Sequence, residues 1–126
     1  MIHGIGVDIV DVNRFRGIIE RHGNKFAKRV LAESEYSTYS ESKDKAGYLS
    51  KCWAVKEAFV KALGTGFNNE FTWQDISYTS PKYGRPVITL SEKSHNNSIM
   101  NNKTIHLSVS DEVSNVIAFV TIEEEK

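Results

Sequence analysis

Two carboxylates far apart in the chain, Asp8 and Glu57, and a lysine one helical turn beyond the second, Lys61, are the residues best suited to chemistry. Asp8 lies in Gly4-Ile5-Gly6-Val7-Asp8-Ile9, where two glycines and a carboxylate alternate with branched apolar residues. A period of two is that of a strand. Glycines at alternate strand positions weaken packing but leave room for close approach by a backbone or a ligand. Asp8 is therefore expected on the thin face of an opening strand, Ile2 to Val10, whereas Asp11 suits the cap of the helix that follows. Magnesium takes oxygen ligands and usually keeps water. If the helix carrying Glu57 packs across that strand, the two carboxylates can hold a divalent cation against a phosphate-bearing substrate.

That helix is expected from Asp44 or Lys45 to Leu63, stopped by Gly64 and Gly66. At about 100° per residue, Leu49, Cys52, Trp53, Val55, Phe59, Val60 and Leu63 share one arc. Lys56 falls inside it, with Glu57 at its edge. An ammonium on an apolar face must reach a partner, a ligand or water, because isolated burial is costly. Two readings fit. In one, Lys56 snorkels and Glu57–Lys61 is a surface pair worth about 0.3 kcal/mol. In the other, Glu57, Lys61 and Lys56 stand at the rim of a phosphate cleft. His106 and Ser108 alternate with Leu107 and Val109 on a later strand and share a face with Ser110. That face suits a phosphate or simply solvent. Gly64-Thr65-Gly66 precedes no Lys-Ser/Thr pair, so it is not a Walker motif.

The elements that must position these residues follow from the same patterns. A helix capped by Asp11 is expected to run to His22, with Phe15, Ile18 and Ile19 inward and Gly23 at its end. Phe26, Val30 and Leu31 mark a further turn or two, and Ser34 is expected to cap a short helix through Tyr39. Strands are expected at Ile76–Thr79, Val87–Leu90, Thr104–Val109 and Val116–Ile122. The 126 residues suit a single α+β domain spanning 1–126. The lone cysteine, Cys52, has no partner for a disulfide, and the four histidines form no zinc-site spacing. No stretch approaches the ~20 apolar residues of a membrane span. The N-terminus does not read as a signal peptide, so a cytoplasmic location and no membrane partner are expected.

Sixteen basic and sixteen acidic residues cancel, which argues against general nucleic-acid binding. The first helix and its continuation are basic, with Arg14, Arg16, Arg21, Lys25, Lys28 and Arg29 against Glu20, which suits an anionic partner. An adaptor for acidic proteins and another metal-dependent phosphoryl- or nucleotidyl-transferring enzyme are the competing classes.

Taken together, these residues resemble the holo-[acyl-carrier-protein] synthase family, the small bacterial 4'-phosphopantetheinyl transferases. The resemblance runs nearly end to end. It is carried by Gly4-Ile5-Gly6-Val7-Asp8-Ile9, Arg14, Phe26-Ala27-Lys28-Arg29-Val30-Leu31 with Glu35, Trp53 through Gly66, Gly84-Arg85-Pro86, and His106-Leu107-Ser108-Val109-Ser110. It implies an antiparallel sheet packed against a long central helix, and magnesium-dependent transfer of 4'-phosphopantetheine from coenzyme A to a serine of apo acyl carrier protein, releasing adenosine 3',5'-bisphosphate. By the same resemblance, Asp8 and Glu57 are the metal ligands and Lys61 contacts phosphate. Gly64, Arg85, Pro86, His106 and Ser108 join Lys61 in the coenzyme A site. Arg14 and Arg21 dock the acidic carrier protein, and the assembly is a homotrimer with sites between subunits. Glu57, directly or through metal-bound water, is the expected proton acceptor. Many relatives have Ser-x-Ser-His where this chain has Ser108-Val109-Ser110-Asp111, so no histidine role transfers to position 111.

Overall fold

In the computed structural model, which describes residues 1–126, the chain folds around one helix. Strand β1 (Ile2–Asp11) leads into α1 (Val12–His22), α2 (Lys25–Val30), α3 (Glu33–Glu41) and the long α4 (Lys45–Leu63). A 3₁₀ turn (Trp73–Asp75) opens the hairpin β2 (Ile76–Thr79) and β3 (Val87–Leu90). A short helix α5 (Glu92–His95) and a second 3₁₀ turn (Ser98–Met100) precede β4 (Lys103–Asp111) and β5 (Asn115–Glu124). Strands β1, β5 and β4 form one antiparallel sheet in that order, with Asp8 opposite Ala118 and Val7 opposite Phe119. This is the α+β arrangement expected, with the sheet against the central helix.

Helix α1 begins as its sequence requires: Asp11 accepts from the Asn13 amide at 2.9 Å, and Gly23 closes the end with φ +58°. Helix α4 is capped by Asp44, which accepts from the Gly47 amide at 3.0 Å, and ends at Gly64 in the left-handed conformation, φ +87°. Helix α3 differs from expectation. It starts at Glu33, not after a Ser34 cap; the Glu35 carboxylate turns back to accept from the Ala32 amide at 2.8 Å.

The inner layer of α4 supplies most of the core: Leu49, Cys52, Ala54, Val55, Ala58 and Phe59 are fully buried, against Val10, Ala118, Val120 and Ile122 of the sheet. Lys56 is fully buried too. Its ammonium donates to the Val30 carbonyl at 2.7 Å, the Trp73 carbonyl at 2.8 Å and the Glu35 carboxylate at 2.6 Å. All three donors are used. The other Glu35 oxygen accepts from the Tyr78 amide at 2.7 Å. Lys56 is thus an internal tie and not a residue of a phosphate rim.

The outer face of the sheet is open. Its cross-strand rows are Ile5–Thr121–His106, Val7–Phe119–Ser108 and Ile9–Ile117–Ser110. Ile5, Val7 and Ile9 are more than half exposed, and Ile117 and Phe119 about 40%. Ile5, Val7 and Ile9 of β1 therefore face outward, while Gly4, Gly6 and Val10 face the core.

Candidate active site

The glycine face of β1 exists to admit α4. A Cβ built on Gly4 would stand 1.9 Å from the Ala62 carbonyl oxygen, and one on Gly6 2.0 Å from that of Ala58. Strand backbone thus lies on helix backbone, with alanines completing the contact. Two strand residues advance about 6.6 Å and four helix residues about 6 Å, so Gly4 matches Ala62 and Gly6 matches Ala58 in step. Asp8 follows, one turn nearer the start of α4.

Helical side chains lean toward the helix N-terminus. Lys61 accordingly reaches back over the strand, donating to the Val7 carbonyl at 3.0 Å and to Asp8 Oδ1 at 3.2 Å. Lys61 pairs with Asp8 and not with Glu57 as a simple helix-surface reading expects. Its side chain is half exposed, so the pair contributes under about 1 kcal/mol. The second Asp8 oxygen, Oδ2, is buried and has no hydrogen-bond partner. A buried carboxylate oxygen left unpaired is costly, and such atoms cluster where a ligand completes the site.

Glu57 lies within electrostatic reach. Burial first, and then the Asp8 carboxylate, push its carboxyl above the ordinary range; the Lys61 ammonium and the Arg14 guanidinium oppose them. The two sequence-predicted carboxylates are therefore near enough for each to feel the other's charge. Two neighbouring carboxylates, one with an orphaned oxygen, present hard oxygen donors whose mutual repulsion a cation relieves. No group of three or more His, Cys, Asp or Glu side chains is arranged for a metal. That sparse set suits magnesium, which is commonly held by one or two carboxylates and completes its shell with water and substrate phosphate. None of the five main cavities is lined by Asp8, Glu57 or Lys61.

The remaining expected residues lie around this centre or away from it. Gly64 is exposed just past the end of α4, and Arg85 and Pro86 sit in the turn between β2 and β3. His106 and Ser108 are on the outer sheet face, opposite the face that carries Asp8, and His106 approaches Glu123 Oε1 at 3.0 Å. Within one chain they do not join the carboxylates. Asp111 pairs with Lys51 at 3.4 Å. Arg21, in the last turn of α1, lies across Gly17.

Sequence reasoning missed two features. Glu35 is the buried partner of Lys56, a role that neither its place after the expected Ser34 cap nor its part in the resemblance assigned. Trp53, expected as core, is half-buried and ends a stack: it lies 4.3 Å from Trp73, which lies 3.9 Å from Phe67.

Comparison with known proteins identifies the family. The family model of the 4'-phosphopantetheinyl transferase superfamily matches residues 4–118. A holo-[acyl-carrier-protein] synthase of Ruthia magnifica subsp. Calyptogena magnifica is 41% identical over 126 residues, covering 99% of both chains. The crystal structure of holo-[acyl-carrier-protein] synthase from Neisseria meningitidis superposes with a TM-score of 0.91 at 33% identity, covering 98% of this chain and 100% of that one. A holo-(acyl-carrier-protein) synthase from Bacillus anthracis, solved in complex with CoA (3',5'-ADP), superposes at 0.81 with 28% identity over 99% of each chain.

Proposed function

From the premise that this chain belongs to the 4'-phosphopantetheinyl transferase superfamily, as an enzyme of its holo-[acyl-carrier-protein] synthase family, we propose that residues 1–126 act as one domain that transfers 4'-phosphopantetheine from coenzyme A to a serine of apo acyl carrier protein. Magnesium is the metal, adenosine 3',5'-bisphosphate the second product, and the cytoplasm the setting, where the product serves fatty acid biosynthesis. No helix is long and apolar enough to cross a membrane.

The observation that carries this reading is the convergence of Asp8, with its unpartnered Oδ2, on Lys61 and Glu57. Asp8 and Glu57 are the proposed metal ligands. Bound there, magnesium supplies charge neutralisation for the pyrophosphate oxygens of coenzyme A. Lys61 adds a fixed positive charge on the same side, where negative charge grows on the leaving phosphate. The serine oxygen bonds to the phosphorus that bears pantetheine, and the P–O bond to the 5'-phosphate of the adenosine bisphosphate breaks. Glu57, directly or by way of a water, takes the serine proton.

Two further readings complete the proposal. The open outer face, apolar along β1 and β5 and carrying His106 and Ser108 on β4, supports a homotrimer. In it, His106 and Ser108 of one copy serve the coenzyme A site of another, with Lys61, Gly64, Arg85 and Pro86. The basic helix α1 supports docking of the acidic carrier protein through Arg14 and Arg21.

The test is intact-mass measurement of apo acyl carrier protein after incubation with this chain, coenzyme A and magnesium. One added phosphopantetheine is expected, and its loss in Asp8→Ala. An unchanged carrier mass with the unaltered chain would overturn the reading.

A further inference from the structure

Arg14 is held in an unusual way for a residue meant to meet a carboxylate. It is exposed on α1, and no protein group in this structure accepts a hydrogen bond or forms an ion pair with it. Its guanidinium instead lies over two rings, 5.2 Å from the centre of Trp53 and 5.4 Å from that of Phe15. Phe15 is fully buried and cannot move aside. Trp53 is stacked on Trp73, whose own backbone carbonyl accepts from the buried Lys56 ammonium. Trp53 also precedes Glu57 by four residues on α4, so the two side chains are neighbours on one helix face.

We infer that Trp53 is a positioning residue of the reaction: its indole face holds the Arg14 guanidinium of the docking helix in place, with its N–H groups left free for a carboxylate of the carrier protein. This rests on the carrier-protein reading above and adds the residue that sets the posture of Arg14. The physical reason is pre-organisation. A guanidinium stacked on a ring keeps its in-plane donors available, because the ring engages only its face. An arginine already held in its bound posture loses less freedom when the carrier arrives. Lysine, a point charge without a planar face, does not reproduce this.

The experiment is a double-substitution cycle read as KM for apo acyl carrier protein, with KM for coenzyme A measured alongside. Trp53→Leu removes the ring face and keeps an apolar side chain. It is expected to raise KM for the carrier about two- to fivefold, the range of an exposed cation–ring contact, with KM for coenzyme A at its original value. Trp53→Phe, which keeps a face, recovers part of the loss. In an Arg14→Ala background, Trp53→Leu has no further effect on KM for the carrier, because the partner it acts through is gone. Full additivity of the two losses, or an equal rise in KM for coenzyme A, would overturn the inference.

A second measurement needs no substrate. The chain has two tryptophans, so in Trp73→Phe the emission reports Trp53 alone. Arg14→Ala is expected to shift that emission and Arg21→Ala to leave it. Equal spectra for the Arg14 pair would refute the contact even if the chain had no transferase activity. Absence of transfer with the shift intact would instead refute the proposed function.

Discussion

Gly6→Ala tests whether the site depends on backbone contact between β1 and α4. The new Cβ would lie 2.0 Å from the Ala58 carbonyl oxygen and 2.7 Å from the Ala62 nitrogen. Both obstacles are backbone, so no side chain can swing away. Reaching even 3.0 Å requires strand and helix to part by about 1 Å. Overpacking of this kind costs about 1–3 kcal/mol, and a chain of this size loses roughly 3–5 °C of Tm for each kcal/mol. The same displacement carries β1 away from Lys61, stretching its hydrogen bonds to the Val7 carbonyl (3.0 Å) and to Asp8 Oδ1 (3.2 Å). Misplacement by about 1 Å costs on the order of 100-fold in rate. Initial rates of carrier modification at saturating coenzyme A and magnesium, with Tm from a thermal melt, give both quantities. Gly17→Ala is the contrast: its Cβ meets only the flexible end of Arg21 at 3.1 Å, and replacing glycine within a helix gains about 0.5–1 kcal/mol. A folded Gly6→Ala protein with unaltered turnover would refute the reasoning.

Three further outcomes are expected. Lys56→Met leaves Glu35 buried without its counter-ion and costs about 3–5 kcal/mol in urea denaturation; a loss below 1 kcal/mol would show that the tie is unimportant. At Asp75, burial opposes ionisation, but hydrogen bonds from Thr72, Ser91 and Lys93 prevail and hold its carboxyl well below the usual range. Its stabilisation is present above the unfolded carboxylate pKa of about 4 and is lost as pH falls toward the folded value. Asp75→Asn should therefore cost about 1–3 kcal/mol near neutral pH, with a deficit that shrinks in acid; a deficit independent of pH down to unfolding would contradict this. Glu57 has the opposite sign. Its folded carboxyl binds its proton more tightly than the unfolded one, so stability is greatest below the unfolded pKa and falls as pH rises through the folded pKa. Without metal, Glu57→Gln should melt higher than the unaltered chain near neutral pH and should lose the stabilisation that added magnesium gives; a lower Tm under those conditions would count against the assignment.

Much of the site was legible because its parts announce themselves locally. Alternating glycines on β1 marked a close approach, and the glycines after Leu63 fixed the end of α4. The electrostatic reach of Asp8 to Glu57 followed once the helix was laid on that strand. What escaped depended on long-range contact. Glu35 precedes Lys56 by 21 residues, so helical periodicity exposed the buried ammonium but not its partner. One of the two readings of Lys61 paired it within its helix, yet the absence of strand Cβ atoms brings Asp8 close enough to compete. Alternation on β1 separated two faces without saying which was inward. Glycine proved to be the packed face because helix backbone, not side chains, fills the space.

The Lys56 tie has a consequence for how the molecule opens. Its three oxygen partners belong to the end of α2, the start of α3 and the turn before β2. None of these segments can detach alone without stranding a charge in the interior. They therefore form one cooperative unit with the middle of α4, and partial opening there is suppressed relative to fraying at the chain ends. The Tyr78 amide, bound to Glu35 at 2.7 Å, should exchange its hydrogen for deuterium only when the whole molecule unfolds. Within that slow unit stands Glu57, whose backbone is thereby kept still while its carboxylate faces the open side of the protein.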